Sequence, residues 1–170
     1  MISSLAIQRT EIQPIVYKND IYVFGGFVLK TAPRLNTLTK LNIHSGICEL
    51  VETEGEIPTV RSGHSVVQWK NFMFVYGGWD AVISKNVPNL IILLISIFQD
   101  MYRLDLETLI WEREIPLNDS IMPLGLRSHA AVVYKNEMFM FGGTSSENPD
   151  SNLFLNGTLY AYNMGKYLKF

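Results

Sequence analysis

At 170 residues the chain has the length of one domain and enough material for a hydrophobic core. Its formal net charge of −2, with 48% hydrophobic and 18% charged residues, leaves no basic excess for nucleic acid or for an anionic membrane surface. Cys48 is the only cysteine, so an intramolecular disulfide and a cysteine-based zinc site are both excluded.

In chain order, the first strongly strand-like run is Ile21-Tyr-Val-Phe24, closed by Gly25-Gly26. A third strand follows at Leu38-Thr-Lys-Leu-Asn42 and a fourth at Ile47 to Thr53. Gly55-Glu-Ile-Pro58 leads to Arg61 and His64, then to a strand over Ser65 to Trp69. Lys70-Asn71 begins a tight turn, with asparagine suited to a positive φ. Met73-Phe-Val-Tyr76 and Gly77-Gly78 repeat the run and its glycine pair, and Trp79-Asp80 follow directly. Asp100 to Asp105 is the next third strand, and Ile110 to Ile115, with Trp111, the next fourth. A last copy starts at Arg127 and His129. It continues through Met138-Phe-Met-Phe141 and Gly142-Gly143, a long loop from Thr144 to Asn156, and Leu159-Tyr-Ala-Tyr-Asn163.

These are repeats. Eight residues before the first glycine of each pair stands an aromatic residue (Tyr17, Trp69, Tyr134), followed each time by Lys-Asn. Thirteen residues before it stand Ile12, His64 and His129, preceded by Arg9, Arg61 and Arg127. A four-residue run that is apolar throughout predicts a strand covered on both faces, as in stacked sheets. Glycine then ends the strand and lets backbone approach where a Cβ would obstruct it.

Four short strands per repeat is the pattern of a β-propeller blade. With its glycine pairs, its Tyr102-Arg-Leu-Asp-Leu-Glu-Thr ahead of Trp111 and its Gly55-x-x-Pro58-x-x-Arg61-x-x-His64, the chain resembles the kelch-repeat family. The resemblance implies an all-β fold: kelch-type blades of four antiparallel strands, two and a half to three of them, as an incomplete, open propeller. The expected organisation is a single segment over 1–170, with repeats at roughly 9–58, 59–123 and 124–170. The third repeat stops in its third strand. An open arc leaves sheet edges and core unprotected. The chain is therefore read as a fragment, as a truncated gene product with no independent function, or as one that further kelch repeats or another chain would close.

The glycine pairs lie 52 and 65 residues apart (77 − 25 and 142 − 77), and the excess is an apolar insertion at 82–99. Val82 to Gln99 reads either as a translated intron or as a loop that packs on the propeller or a partner. The stretch Leu90 to Phe98 is too short to span a bilayer. Met1 to Arg9 lacks the pattern of a signal peptide, so the cytoplasm is the default location.

A residue that recurs at one repeat position serves the repeated fold, so His64 and His129 are expected to be structural, as are Tyr102 and Trp111 in the blade core. Glu112 and Glu114 share a strand face, read as solvated. No metal, cofactor or catalytic residue is implied, since no metal-binding histidine spacing, phosphate loop or nucleophile elbow is present. In kelch propellers the loop after the glycine pair and the loop into the first strand emerge on one face. That face would gather Phe27, Lys30, Arg34, Arg61, Trp79, Asp80 and Arg127, and arginines and aromatics are frequent interface anchors, although Arg61 and Arg127 read first as structural, bonded to loop carbonyls or to a carboxylate of an adjacent blade. The function implied is a non-catalytic scaffold or adaptor that binds a protein partner. The alternative is an enzyme of the galactose-oxidase-like propeller class. A copper-radical oxidase of that class requires a cysteine cross-linked to a tyrosine, whereas Cys48 here takes the position of Trp111. If 82–99 is a translated intron, transcript sequencing across the Asp80–Asp100 codons will find messages in which these codons are absent and the frame is kept; their constant presence would refute it.

Overall fold

The computed structural model describes residues 8–28, 33–87, 90–115, 124–145, 154–155 and 157–165. The described residues form short strands and no helix. β1 (Ile15–Tyr17), β2 (Asp20–Phe24), β3 (Leu38–Asn42) and β4 (Cys48–Val51) make the first blade, antiparallel throughout and ordered as in the chain. The chain then crosses over as β5 (Glu54–Gly55), which pairs in parallel with the outer strand of the next blade. That blade holds β6 (Ser65–Trp69), β7 (Phe72–Tyr76), β10 (Met101–Asp105) and β11 (Ile110–Glu114). Between β7 and β10 lie β8 (Trp79–Val87) and β9 (Leu90–Ile97), which form a two-stranded sheet of their own. The third blade comprises β13 (Ala130–Tyr134), β14 (Glu137–Phe141) and β17 (Leu159–Asn163). A small second sheet beside it joins β12 (Leu126–Arg127), β15 (Thr144–Ser145) and β16 (Phe154–Leu155).

The local chemistry of each hairpin repeats. In the two-residue loops it is the lysine, at Lys18, Lys70 and Lys135, that takes positive φ (54°, 55° and 57°), not the asparagine after it. At the ends of β3 and β10, Asn42 Oδ1 accepts the N–H groups of His44 and Ser45, and Asp105 Oδ1 those of Glu107 and Thr108. Such side-chain bonds start a turn in place of a backbone carbonyl.

The all-apolar second strand is explained by what lies on each side of it. Met73 and Val75 of β7 face the first blade, packing with Ile15, Phe24 and Leu38. Phe74 and Tyr76 face the third, packing with Leu126, Met138, Met140 and Tyr162. Trp111 is 1% exposed in the first of these layers, and its indole N–H donates to Thr53 Oγ1 at 3.2 Å. A buried ring of this size brings a large apolar area but requires that partner. Glu114 departs from the solvated face read for it. It is 7% exposed, paired with Arg103 at 3.2 Å, and accepts the Tyr162 hydroxyl at 3.0 Å, which bonds the second blade to the third. Glu112, two residues earlier, does lie in solvent and pairs with the same guanidinium.

Within the insertion at 82–99, residues 82–87 and 90–97 belong to the two strands of a β-ribbon, with a register irregularity between Ser84 and Val87. Its exit is tied to the blades: the Phe98 N–H donates to Gly78 O, and the Phe98 ring lies 4.4 Å from the Arg61 guanidinium.

The glycine pairs carry the packing of blade on blade. A Cβ at Gly25 would sit 2.7 Å from the Arg61 carbonyl oxygen of the next blade, and one at Gly77 would sit 2.4 Å from that of Leu126. At Gly142 a Cβ would meet nothing within 4 Å. All three have positive φ (66°, 66° and 76°), so alanine is strained at each by about 1–2 kcal/mol. Gly77→Ala adds an overpacking cost of about 1–3 kcal/mol. Urea unfolding of dilute protein is expected to show Gly142→Ala losing only the first cost and Gly77→Ala losing both.

Candidate interaction face

In every blade the backbone just before the first strand pairs antiparallel with the residue just after the glycine pair. The pairs are Thr10 with Phe27, Ser62 with Trp79 and Arg127 with Thr144. These pairs bring the loops of three blades to one end of the arc. They also correct the repeat alignment. Gly26 N–H donates to Arg61 O and Gly78 N–H to Leu126 O, so Leu126, and not Arg127, holds the position of Arg61. Arg127 holds the position of Ser62. A one-residue shift in an extended segment sends a side chain to the opposite side, and the two arginines have opposite fates.

Arg61 is fully buried. Its guanidinium donates to Gly77 O at 3.0 Å, to both oxygens of Asp100 at 2.7 and 3.2 Å, and to Thr59. It holds the second blade's glycine turn to the start of β10. Arg9 does similar work in the first blade, donating to Gly25 O and Thr37 O.

Arg127 turns outward. Its Nε donates to Thr144 Oγ1 at 3.0 Å, and its guanidinium lies 4.6 Å from the centre of the Trp79 ring. Arg34 lies 3.6 Å from the same ring and 5.7 Å from that of Phe27. Arg34 also pairs with Asp80 at 3.5 Å and donates to Ser62 Oγ at 2.9 Å. Glu11 locks the indole by accepting from Trp79 Nε1 at 3.0 Å and from Ser62 Oγ at 2.7 Å. Trp79 of the second blade is therefore bracketed by one arginine from the first and one from the third. Two cations on one indole are each attracted by its π-face.

The structure thus brings together Phe27, Arg34, Trp79, Asp80 and Arg127, all partly exposed. It places Arg61 beneath them, and Lys30 lies outside the described residues, as does most of the loop between Thr144 and Asn156. Glu11 and Ser62 were not singled out from sequence. Ser62 carries its signal only in the corrected alignment, and Glu11 lies in the most degenerate copy, beside Ile12.

Next to this cluster a depression of about 420 Å³ is lined by Glu11, Ile12 and Gln13 of the first blade, Gly63 and His64 of the second, and Ser128 to Ala131 of the third. Both histidines are buried. Each ring stands edge-on to an aromatic of the preceding blade, His64 to Phe24 and His129 to Tyr76, with centroids 5.7 and 5.6 Å apart. His129 Nε2 bonds Ser65 Oγ at 2.8 Å, whereas His64 has only the backbone of Phe24 beside its ring nitrogens. Burial, and then the cation of Arg61, push His64 down to about 3; burial pushes His129 down to about 4. Both are neutral spacers at physiological pH. Among the described residues no three of His, Cys, Asp and Glu gather as a metal site, and no helix is long and apolar enough to cross a membrane.

The pattern of the KLHDC2/KLHL20/DRC7 Kelch-repeats domain matches residues 11–167. The chain belongs to the kelch-repeat family. It is similar to human host cell factor 2, at 28% identity over 145 residues, 75% of this chain and 16% of that protein. It is also similar to rat kelch domain-containing protein 3, at 30% over 128 residues, 72% of this chain and 31% of that one. The Drosophila leucine-zipper-like transcriptional regulator 1 homolog matches at 29% over 112 residues, 66% of this chain and 10% of that protein. The chain thus spans less than a third of the length of these relatives. Kelch repeats are generally non-catalytic and typically serve as protein-interaction scaffolds.

The histidines make the arc acid-sensitive. Their folded values lie below the ordinary 6.5, so as pH falls the unfolded chain takes up protons first, and stability declines from pH 6.5 toward 4. The slope is at most about 1.4 kcal/mol per pH unit per imidazole. Glu114, raised by burial, opposes this between its ordinary value and its folded one. Urea unfolding at a series of pH values is expected to show the decline, and His64→Gln with His129→Gln is expected to flatten it.

Proposed function

We propose that the chain is a non-catalytic binding module that recognises a protein partner through the face built on Trp79. The observation that carries this reading is the bracketed indole. Arg34, Trp79 and Arg127 come from three different blades and converge in a partly exposed cluster, although the blade cores do not require them there. Aromatic and arginine side chains held rigid before binding lose little entropy when a partner arrives. The guanidinium forks match carboxylates in geometry, so an acidic segment is the favoured partner. The net charge of −2 gives no support to nucleic acid or an anionic membrane as the target. A reducing, cytoplasmic setting goes with this reading, because Cys48 has no second cysteine to pair with.

A photo-crosslinking amino acid at position 127 is expected to capture a discrete protein in cells, and the same group at Glu49, on the outer strand of the first blade, is not. With that protein purified, Arg127→Glu is expected to weaken binding about 30-fold, the loss of one hot spot worth about 2 kcal/mol, and Glu49→Lys to leave it unchanged. Equal capture at both positions, or equal affinity of both variants, would count against the Trp79 face.

A further inference from the structure

The charges around Trp79 are not equally open to a partner. Arg34 is engaged within the fold. Its side chain is only 10% exposed, set against the Trp79 and Phe27 rings, with Nε donating to Ser62 Oγ. Asp80, 21% exposed and 3.5 Å away, answers its charge. A pair this sheltered is screened little by solvent. Arg127 differs. It is partly exposed, and among the described residues its side chain donates one hydrogen bond, from Nε to Thr144 Oγ1. The two outer nitrogens of its guanidinium have no acceptor there.

Glu11 is the second open charge. It is exposed, and both of its hydrogen bonds, from Trp79 Nε1 and Ser62 Oγ, fall on Oε2, leaving Oε1 without a donor among the described residues. The backbone fixes its place. Gly63 N–H donates to Glu11 O at 2.9 Å and Ser128 N–H to Gly63 O at 2.7 Å, so Glu11, Gly63 and Ser128 hold one position in three blades. All three have left-handed φ, of 55°, 63° and 55°. Glycine adopts that conformation freely and glutamate does so at a cost. The carboxylate that results stands at the edge of the indole. The open charges of the face are thus one cation over the Trp79 ring and one anion at its rim.

We propose that the Trp79 face recognises a mixed pair of charges: an acidic side chain against Arg127 and, from the same segment, a basic one against Glu11. This rests on the reading of the face as a protein-binding site, and it narrows the acidic segment to one that carries a lysine or arginine close to its acid. A run of acids is disfavoured, because its second carboxylate meets Glu11 or Asp80, and like charges juxtaposed at an interface repel. Arg34 and Asp80 are positioning residues. They hold the indole and cancel each other, so that a partner meets one guanidinium and not two.

The test selects peptides from a random displayed library on the immobilised full chain and titrates one of them after synthesis, with circular dichroism showing that each variant keeps its fold. The selected peptides are expected to pair an acid with a base a few residues away, and Arg127→Glu is expected to abolish their capture. Glu11→Gln keeps an acceptor for the indole N–H but loses the charge. It is expected to weaken the titrated peptide about fivefold, the upper end for an exposed ion pair. Exchange of the peptide's base for glutamine is expected to do the same, and both changes together to cost no more than either alone, as a double-mutant cycle requires of a direct pair. Asp80→Asn is expected to free Arg34, so that selection on this variant yields peptides with a second acid. Additive losses in the cycle, acidic runs selected on the parent chain, or no second acid with Asp80→Asn would overturn the mixed-charge proposal and leave the Trp79 face standing. A chain that selects no peptide, or peptides indifferent to Arg127→Glu, would remove the face itself and the proposal with it.

Discussion

The whole arc depends on one close approach, that of the peptide backbone of each blade to the glycine turn of the blade before it. A carbonyl oxygen sits 2.7 Å from where a Cβ would be at Gly25 and 2.4 Å at Gly77, and its neighbouring strand sets a histidine ring edge-on to the preceding Phe24 or Tyr76. Only with that approach do the apolar second strands find cover on both sides, and only then are the carbonyl groups near the axis paired with the N–H groups of Gly26 and Gly78. The layers of Trp111, Phe24 and Met73, and of Tyr76, Met138 and Leu126, follow from that spacing.

Most of the fold was legible because its devices recur at fixed offsets. The glycine pairs, the aromatic eight residues earlier and the apolar runs place β2, β7 and β14 to within a residue. The same counting misled where one copy has drifted. Arg127 is two residues from His129 while Arg61 is three from His64, so the two arginines stand at adjacent repeat positions, one a buried clamp and the other a partly exposed side chain. Glu114 was misread for a different reason. Alternation along β11 places it on the side of Glu112, but the third blade overhangs only the far end of that strand. Alternation along a strand does not say which neighbour lies above each residue. The ribbon β8–β9 had no repeat to compare with, and its apolar run alone could not distinguish a loop from paired strands.

The candidate face was legible in part. Loops that leave the glycine turns and loops that enter the first strands must emerge together, and that argument collects Phe27, Arg34, Trp79, Asp80 and Arg127 correctly in space. What it could not supply was how they are held. The bracketing of Trp79, and the fixing of its ring by Glu11, depend on side-chain directions that become definite only once three blades are docked.

If the Trp79 face is the binding site proposed above, its origin in three blades ties recognition to folding. Each blade contributes one member of the stack, so a partner that grips it can do so only when all three blades are in register. By mass action such a partner stabilises the docked arrangement over any state in which a blade has swung away. In a repeat protein, where blades otherwise hold only their nearest neighbours, a ligand on Trp79 acts as a clasp between the first and the third. The occupied face would make the arc more cooperative than its own blade contacts do.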